Sequence, residues 1–237
     1  MTACWESGFQ NVLSKPRFKM YDRNSYHEGI IFHLNILDDN FDSIGQTLQE
    51  HIRGEEREPD QILAEYGIHP DLPRNVLIER VEHMCGDAVF KIPNYATALA
   101  NSHLADNGTL FLYHFDQRFR LKNALEGTAD HAHELLSLFQ NLANEMREDE
   151  KAMARDFAAA WIMFCNGQAP WKAPRGAWKV WGPESVQVVR TEQDDEKVRS
   201  YARMQRILSL GGGQTWKRWL AGVDALVNKR VKMGKAT

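Results

Sequence analysis

Three clusters of side chains in this sequence have types and spacings that could do chemistry. They are Tyr26-His27-Glu28-Gly29, Asp130-His131-Ala132-His133-Glu134, and the tryptophan-rich stretch from 161 to 181. The first two combine imidazole with carboxylate, the pairing on which both general acid–base catalysis and metal ligation draw. His27-Glu28 begins like a His-Glu-x-x-His zinc helix, but Ile31 stands where the second ligand belongs, so that set does not close. His131 and His133 are two apart and would share one side of an extended segment, yet with Glu134 they still need a distant carboxylate to complete a metal site. The reading is therefore no metal, and no organic cofactor is implied. The other chemistry is nucleophilic: a nucleophile, a histidine that takes its proton, and a carboxylate that orients the histidine. Taken alone, Glu28 reads better as a turn carboxylate and His131 as a surface or helix-capping histidine. The tryptophans read as packing, the usual role of large aromatic side chains.

Those residues need elements to hold them. A short strand is expected at Phe18–Tyr21, ahead of the first cluster. Residues 43–66 read as one or two helices, capped by Asp42 or Ser43 and interrupted by Gly54 with Pro59. Pro70 and Pro73 bracket a turn. A helix at Asn75–Met84 follows, with Val76, Leu77, Val81 and Met84 at helical spacing. Pro93 suits the first turn of another helix ending near Leu104, and Asn107-Gly108 marks a turn. The apolar run Leu110-Phe111-Leu112-Tyr113-His114-Phe115 predicts a strand buried on both faces, as in a parallel sheet covered by helices. Residues 148–165 form the clearest helix, with Met153, Phe157, Trp161 and Phe164 on one face and Asn166-Gly167 closing it. Short strands near Lys179–Trp181 and Val186–Val189 precede helices at 195–209 and 215–230. Gly211-Gly212-Gly213 separates those two as a hinge, and the last is basic through Lys229, Arg230, Lys232 and Lys235.

Order and spacing together carry a family resemblance from about residue 20 to 182. Asn24-Ser25-Tyr26-His27-Glu28-Gly29-Ile30-Ile31-Phe32 resembles the Asn-x-x-Glu-Gly-x-x-Phe segment of the type-B carboxylesterase and cholinesterase family. Asp87, the following helix and Tyr113-His114-Phe115-Asp116 resemble its next elements. His131-Ala132-His133-Glu134-Leu135, leading to Phe139, resembles its His-x-x-Glu-Leu segment, and Trp161-Ile162-Met163-Phe164 with Gly167-Gln168-Ala169-Pro170 its Trp-x-x-Phe helix and Gly-x-x-Pro turn. The resemblance implies an α/β fold, the C-terminal half of an α/β-hydrolase, over a single partial domain. In that fold the triad runs serine, acid, histidine along the chain. It implies that Glu28 is the triad acid and His131 the catalytic histidine. His133 is then a neighbour at the rim of the site and Glu134 a structural carboxylate that holds the histidine loop.

One member of the triad has no match. The 237 residues contain no Gly-x-Ser-x-Gly, the motif that a strand–serine–helix elbow requires. Trp5-Glu6-Ser7-Gly8-Phe9 puts Trp5 and Phe9 where the glycines belong, Gly211–Gly213 follows His131 in the wrong order, and Ser137 and Ser185 have no elbow around them. Three accounts follow: a piece of a longer ester hydrolase, a split enzyme whose other chain supplies the serine half, or a non-catalytic fragment that acts by binding. The expected reaction is hydrolysis of a small carboxylic ester through an acyl-enzyme.

Composition narrows the classes further. A net charge of −3 argues against a nucleic-acid partner. A hydrophobic fraction of 43%, with 7 Trp and 11 Phe, is ample for a core. Cys4, Cys85 and Cys165 form no Cys-x-x-Cys pair and fit a reducing compartment. MTACWESGFQ lacks the charged-then-apolar pattern of a leader, and no apolar run reaches the roughly 18 residues of a membrane span. The expectation is a cytoplasmic protein with no membrane partner.

Overall fold

The computed structural model describes residues 18–22, 28–52, 58–102, 109–118, 120, 122, 126–172 and 176–228. Four strands form one sheet: β1 (Phe18–Asp22), β2 (Thr109–Phe115), β3 (Trp178–Trp181) and β4 (Gln187–Arg190), in that spatial order. β1, β2 and β3 are parallel, and β4 turns back antiparallel on β3. The apolar run read as a doubly buried strand is β2, which lies between two parallel neighbours. Successive side chains on a strand face opposite ways. Leu112 of β2 and Trp178 of β3 accordingly join the larger helical core, while Tyr113, Phe115 and Trp181 pack on the other face with Met153 and Phe157.

Ahead of β2, a 3₁₀-helix (Glu28–Phe32) runs into α1 (His33–Ile36), followed by α2 (Phe41–His51), α3 (Glu58–Glu65), α4 (Arg74–Gly86) and α5 (Ile92–Ser102). The cap of α2 is Asn40 rather than Asp42 or Ser43. Asn40 accepts from the Ser43 backbone N–H at 2.9 Å, and the Ser43 hydroxyl accepts from the Asn40 N–H at 3.0 Å. This reciprocal box makes Ser43 the third residue of the helix. Pro59 lies in the first turn of α3, where a missing N–H costs nothing, so it opens that helix instead of ending one.

α4 and α5 form one continuous helical run joined by a π-turn, Asp87–Lys91, in which the Ile92 N–H reaches back to the Asp87 carbonyl. The wider turn lies where Pro93, which donates no N–H, would crowd the preceding turn of a regular helix.

After β2 come α6 (Glu134–Phe139) and α7 (Glu148–Cys165). Met153 and Phe157 of α7 are each 1% exposed beneath the sheet, and each contributes roughly 1.5–3 kcal/mol by leaving water. Asn166 caps the helix, and Gly167 follows with φ of 71°. The chain then forms β3, β4, α8 (Glu192–Arg199), α9 (Tyr201–Ser209) and α10 (Thr215–Val227).

The single helix read at 195–209 is two helices, because Ser200 adopts φ of 57° between them. That break lets α8 deliver Arg199, only 1% exposed, onto Asp116 at the end of β2, with Asp195 at 3.5 Å on its other side. The Gly211–Gly213 run is a tight, non-helical kink with positive φ at all three glycines. Gly54, the Asn107-Gly108 turn and the basic residues from 229 onward lie outside the described residues. Among the described residues no helix is long and apolar enough to cross a membrane.

Candidate active site

The two residues read as acid and histidine reach one place from different loops. Glu28 opens the 3₁₀-helix beyond β1, and His131 lies between β2 and α6. β1 and β2 are neighbouring parallel strands, so both loops leave the sheet at its C-terminal edge, where open α/β sheets bind ligands. His131 Nδ1 lies 2.6 Å from Glu28 Oε2. A carboxylate can only accept, so Nδ1 carries a proton, which in the neutral ring leaves the lone pair on Nε2. The Glu28 side chain is 3% exposed and that of His131 24%. The acid is thus enclosed while the imidazole keeps an edge open.

Glycine explains the seat of Glu28. The 3₁₀-helix packs on α4, and their backbones cross at Gly29 and Gly86. A Cβ on Gly29 would overlap the Glu82 carbonyl oxygen, and one on Gly86 would lie 2.6 Å from the Gly29 nitrogen. Only glycine permits the approach that carries Glu28 under the histidine loop. Phe90 of the π-turn completes the seat. Its ring lies 4.7 Å from that of His131 and stacks on Phe32 at 6.1 Å.

His133 does not join this pair. Its Nδ1 lies 3.7 Å from Asp130 Oδ1, and its ring meets Phe115 edge-on at 5.9 Å. Burial pulls its pKa down to about 4, so it is a neutral ring at pH 7. It borders a cavity of about 50 Å³ lined also by Gln117, Ser137, Leu142, Met146 and Met153. Glu134 is buried in the first turn of α6, where a carboxylate favours the helix terminus.

Asp87 lies in the core. Burial alone would raise its carboxyl, but Lys91 and Arg203, helped by the Tyr66 hydroxyl at 2.9 Å, hold it below the usual carboxylate range. Its work is to pin the π-turn against α9. Among the described residues no group of three or more His, Cys, Asp or Glu could hold a metal ion. His27 lies outside them.

The geometry also shows partners that sequence reading passed over. His33 Nδ1 donates to the Glu82 carboxylate across 49 residues, and Phe90 supports His131 from the π-turn. Nothing in local spacing joins these residues; only the crossing of the 3₁₀-helix over α4 does.

Residues 24–208 match the model of the carboxylesterase family. The chain belongs to that family. Its fold resembles solved PNB esterases, one at 20% identity with a TM-score of 0.56, and a thermophilic PNB esterase at 19% identity with a TM-score of 0.55. Each likeness covers 80% of this chain and 38% of the esterase. The fold is thus the α/β-hydrolase fold in its C-terminal part, and this carboxylesterase-family chain spans well under half the length of those enzymes. No curated protein sequence matches it.

Proposed function

We propose that this chain supplies the acid–base half of a carboxylic ester hydrolase. The observation that carries the reading is the 2.6 Å contact between His131 Nδ1 and Glu28 Oε2. A fixed Nδ1–H tautomer points a basic Nε2 outward, as a general base requires.

In the proposed cycle His131 takes the proton from a serine hydroxyl, and the serine oxygen bonds to the ester carbonyl carbon. His131 then returns the proton to the leaving alcohol. Water repeats the exchange, releasing the acid and restoring the serine. Glu28 holds the ring and stabilises the imidazolium throughout. The serine and the oxyanion donors come from a serine-bearing half of the fold, as a preceding segment or a separate chain. That half is indispensable: losing the nucleophile costs several orders of magnitude in rate, and each oxyanion donor about 3–4 kcal/mol. The chain acts as one partial hydrolase domain, its substrate a small carboxylic ester.

A second reading is a non-catalytic binding module, favoured by the absence of any Gly-x-Ser-x-Gly in the sequence. Fluorophosphonate labelling of a native extract, followed by capture with an antibody against this chain, separates the two. A labelled serine in the captured species, on this polypeptide or on a partner, supports the hydrolase. Capture of unlabelled material alone supports the module.

A further inference from the structure

A second imidazole–carboxylate pair lies beside the first, at the far end of the short 3₁₀-helix. His33 follows the 3₁₀-helix that Glu28 opens, and its Nδ1 donates to Glu82 of α4. The two partners differ sharply in exposure: the His33 side chain is 48% exposed and that of Glu82 6%. Glu82 touches this element a second time. Its main-chain carbonyl oxygen faces Gly29 so closely that a Cβ there would overlap it. One residue of α4 therefore holds the element at both ends, by backbone beside Glu28 and by side chain at His33.

We propose that Glu82 is a positioning residue for the Glu28–His131 pair, clamping the segment from Gly29 to His33 so that the Glu28 carboxylate stays within hydrogen-bonding reach of His131. The inference rests on the proposed function for its purpose but not for its geometry. Glu28 begins a helix of only five residues, too short to hold its own direction. Its first turn is held at the Gly29–Gly86 crossing, and buried Phe32 anchors its last residue. The His33–Glu82 contact adds a polar anchor one residue further on, to the same helix that seats Gly29. The carboxylate suits this role because it is rooted in a long helix and is nearly enclosed, where a charge-assisted hydrogen bond is stronger than in water. The Phe32–Phe90 stack lies between the Gly29 crossing and His33 and links the same element to the face of His131.

The test reads which nitrogen of His131 carries the proton, from imidazole ¹⁵N shifts of the full chain at a pH where the ring is neutral. Turnover does not enter. The wild type is expected in the Nδ1–H form, and Glu28→Ala is expected to move it to the Nε2–H form that free histidine prefers. Glu82→Ala should produce the same move. Glu82→Gln, which keeps an oxygen for the His33 N–H, should retain Nδ1–H. His33→Ala cuts the clamp at its exposed end and decides the matter if Glu82→Ala does not fold. Retention of the Nδ1–H form in folded Glu82→Ala or in His33→Ala overturns the proposal. A wild-type ring in the Nε2–H form removes the Glu28 contact itself, and the clamp with it. A wild-type Nδ1–H ring in a chain that never joins an active esterase removes the proposed function and leaves the clamp intact.

Discussion

His131 and Glu28 are 103 residues apart in sequence, yet the imidazole Nδ1 and the carboxylate Oε2 lie 2.6 Å apart. Between them the chain builds the whole helical layer from α1 to α5 and the central strand β2. The contact therefore depends on the packing of that layer as much as on either residue. A buried carboxylate survives without strain only when paired and hydrogen-bonded, and the imidazole supplies that partner.

Within an assembly that hydrolyses an ester, His131→Ala should lower kcat by at least 10³-fold, and Glu28→Gln by roughly 10³- to 10⁴-fold through loss of the correct tautomer. KM should change far less than kcat, because neither group is expected to hold the substrate. Steady-state kinetics on a short-chain aryl ester provides the check.

The crossing of Gly29 over Gly86 should tolerate no side chain. Gly29→Ala places a methyl group against main chain that cannot move aside, and a loss of about 1–3 kcal/mol or more is expected from overpacking. Urea unfolding measures it. A Gly45→Ala control, at a helical site with open space, should fall close to the wild type.

Acid should weaken the fold through His133. Its pKa is pulled from the ordinary 6.5 to about 4 by burial, so the unfolded chain takes up the proton first as pH falls. Its contribution is complete above pH 6.5 and is lost progressively toward pH 4, with a slope of at most about 1.4 kcal/mol per pH unit. His114 adds in the same direction, since burial and then Arg199 hold it well below its ordinary value. Denaturant midpoints taken between pH 7 and pH 4 should fall steeply in the wild type and less steeply in His133→Gln.

Arg199 is 1% exposed between Asp116 and Asp195. Arg199→Leu takes the cation from the largely buried Asp116 carboxylate, while Asp195 keeps Arg190 at 2.9 Å, and should cost about 3–5 kcal/mol. Removing Asp116 as well should recover part of that loss, and a double-mutant cycle measures how much.

Much of this layout is legible in the sequence, and the exceptions have physical causes. β2 shows itself because six consecutive residues are apolar or aromatic apart from His114, a short run that suits a strand covered on both faces. α7 shows itself through helical spacing and an Asn-Gly stop. The break at Ser200 has no glycine or proline to announce it; tertiary contacts of Arg199 place it there. The Asn40 cap is missed because three neighbouring residues, Asn40, Asp42 and Ser43, all have capping side chains, and only the backbone turn selects one. In the site, Glu28 and His131 are found through a family resemblance and not by local pattern. The reason for Gly29 and the pairing of His33 with Glu82 appear only when the 3₁₀-helix is seen lying across α4.

The most direct test of the central claim is ester hydrolysis by the native assembly captured through this chain, wild type against His131→Ala, with p-nitrophenyl acetate as substrate. A burst of nitrophenol followed by steady turnover, both abolished by His131→Ala, is the predicted result. Turnover that survives His131→Ala, or a captured assembly with no turnover at all, would contradict the assignment of His131 and Glu28 to catalysis.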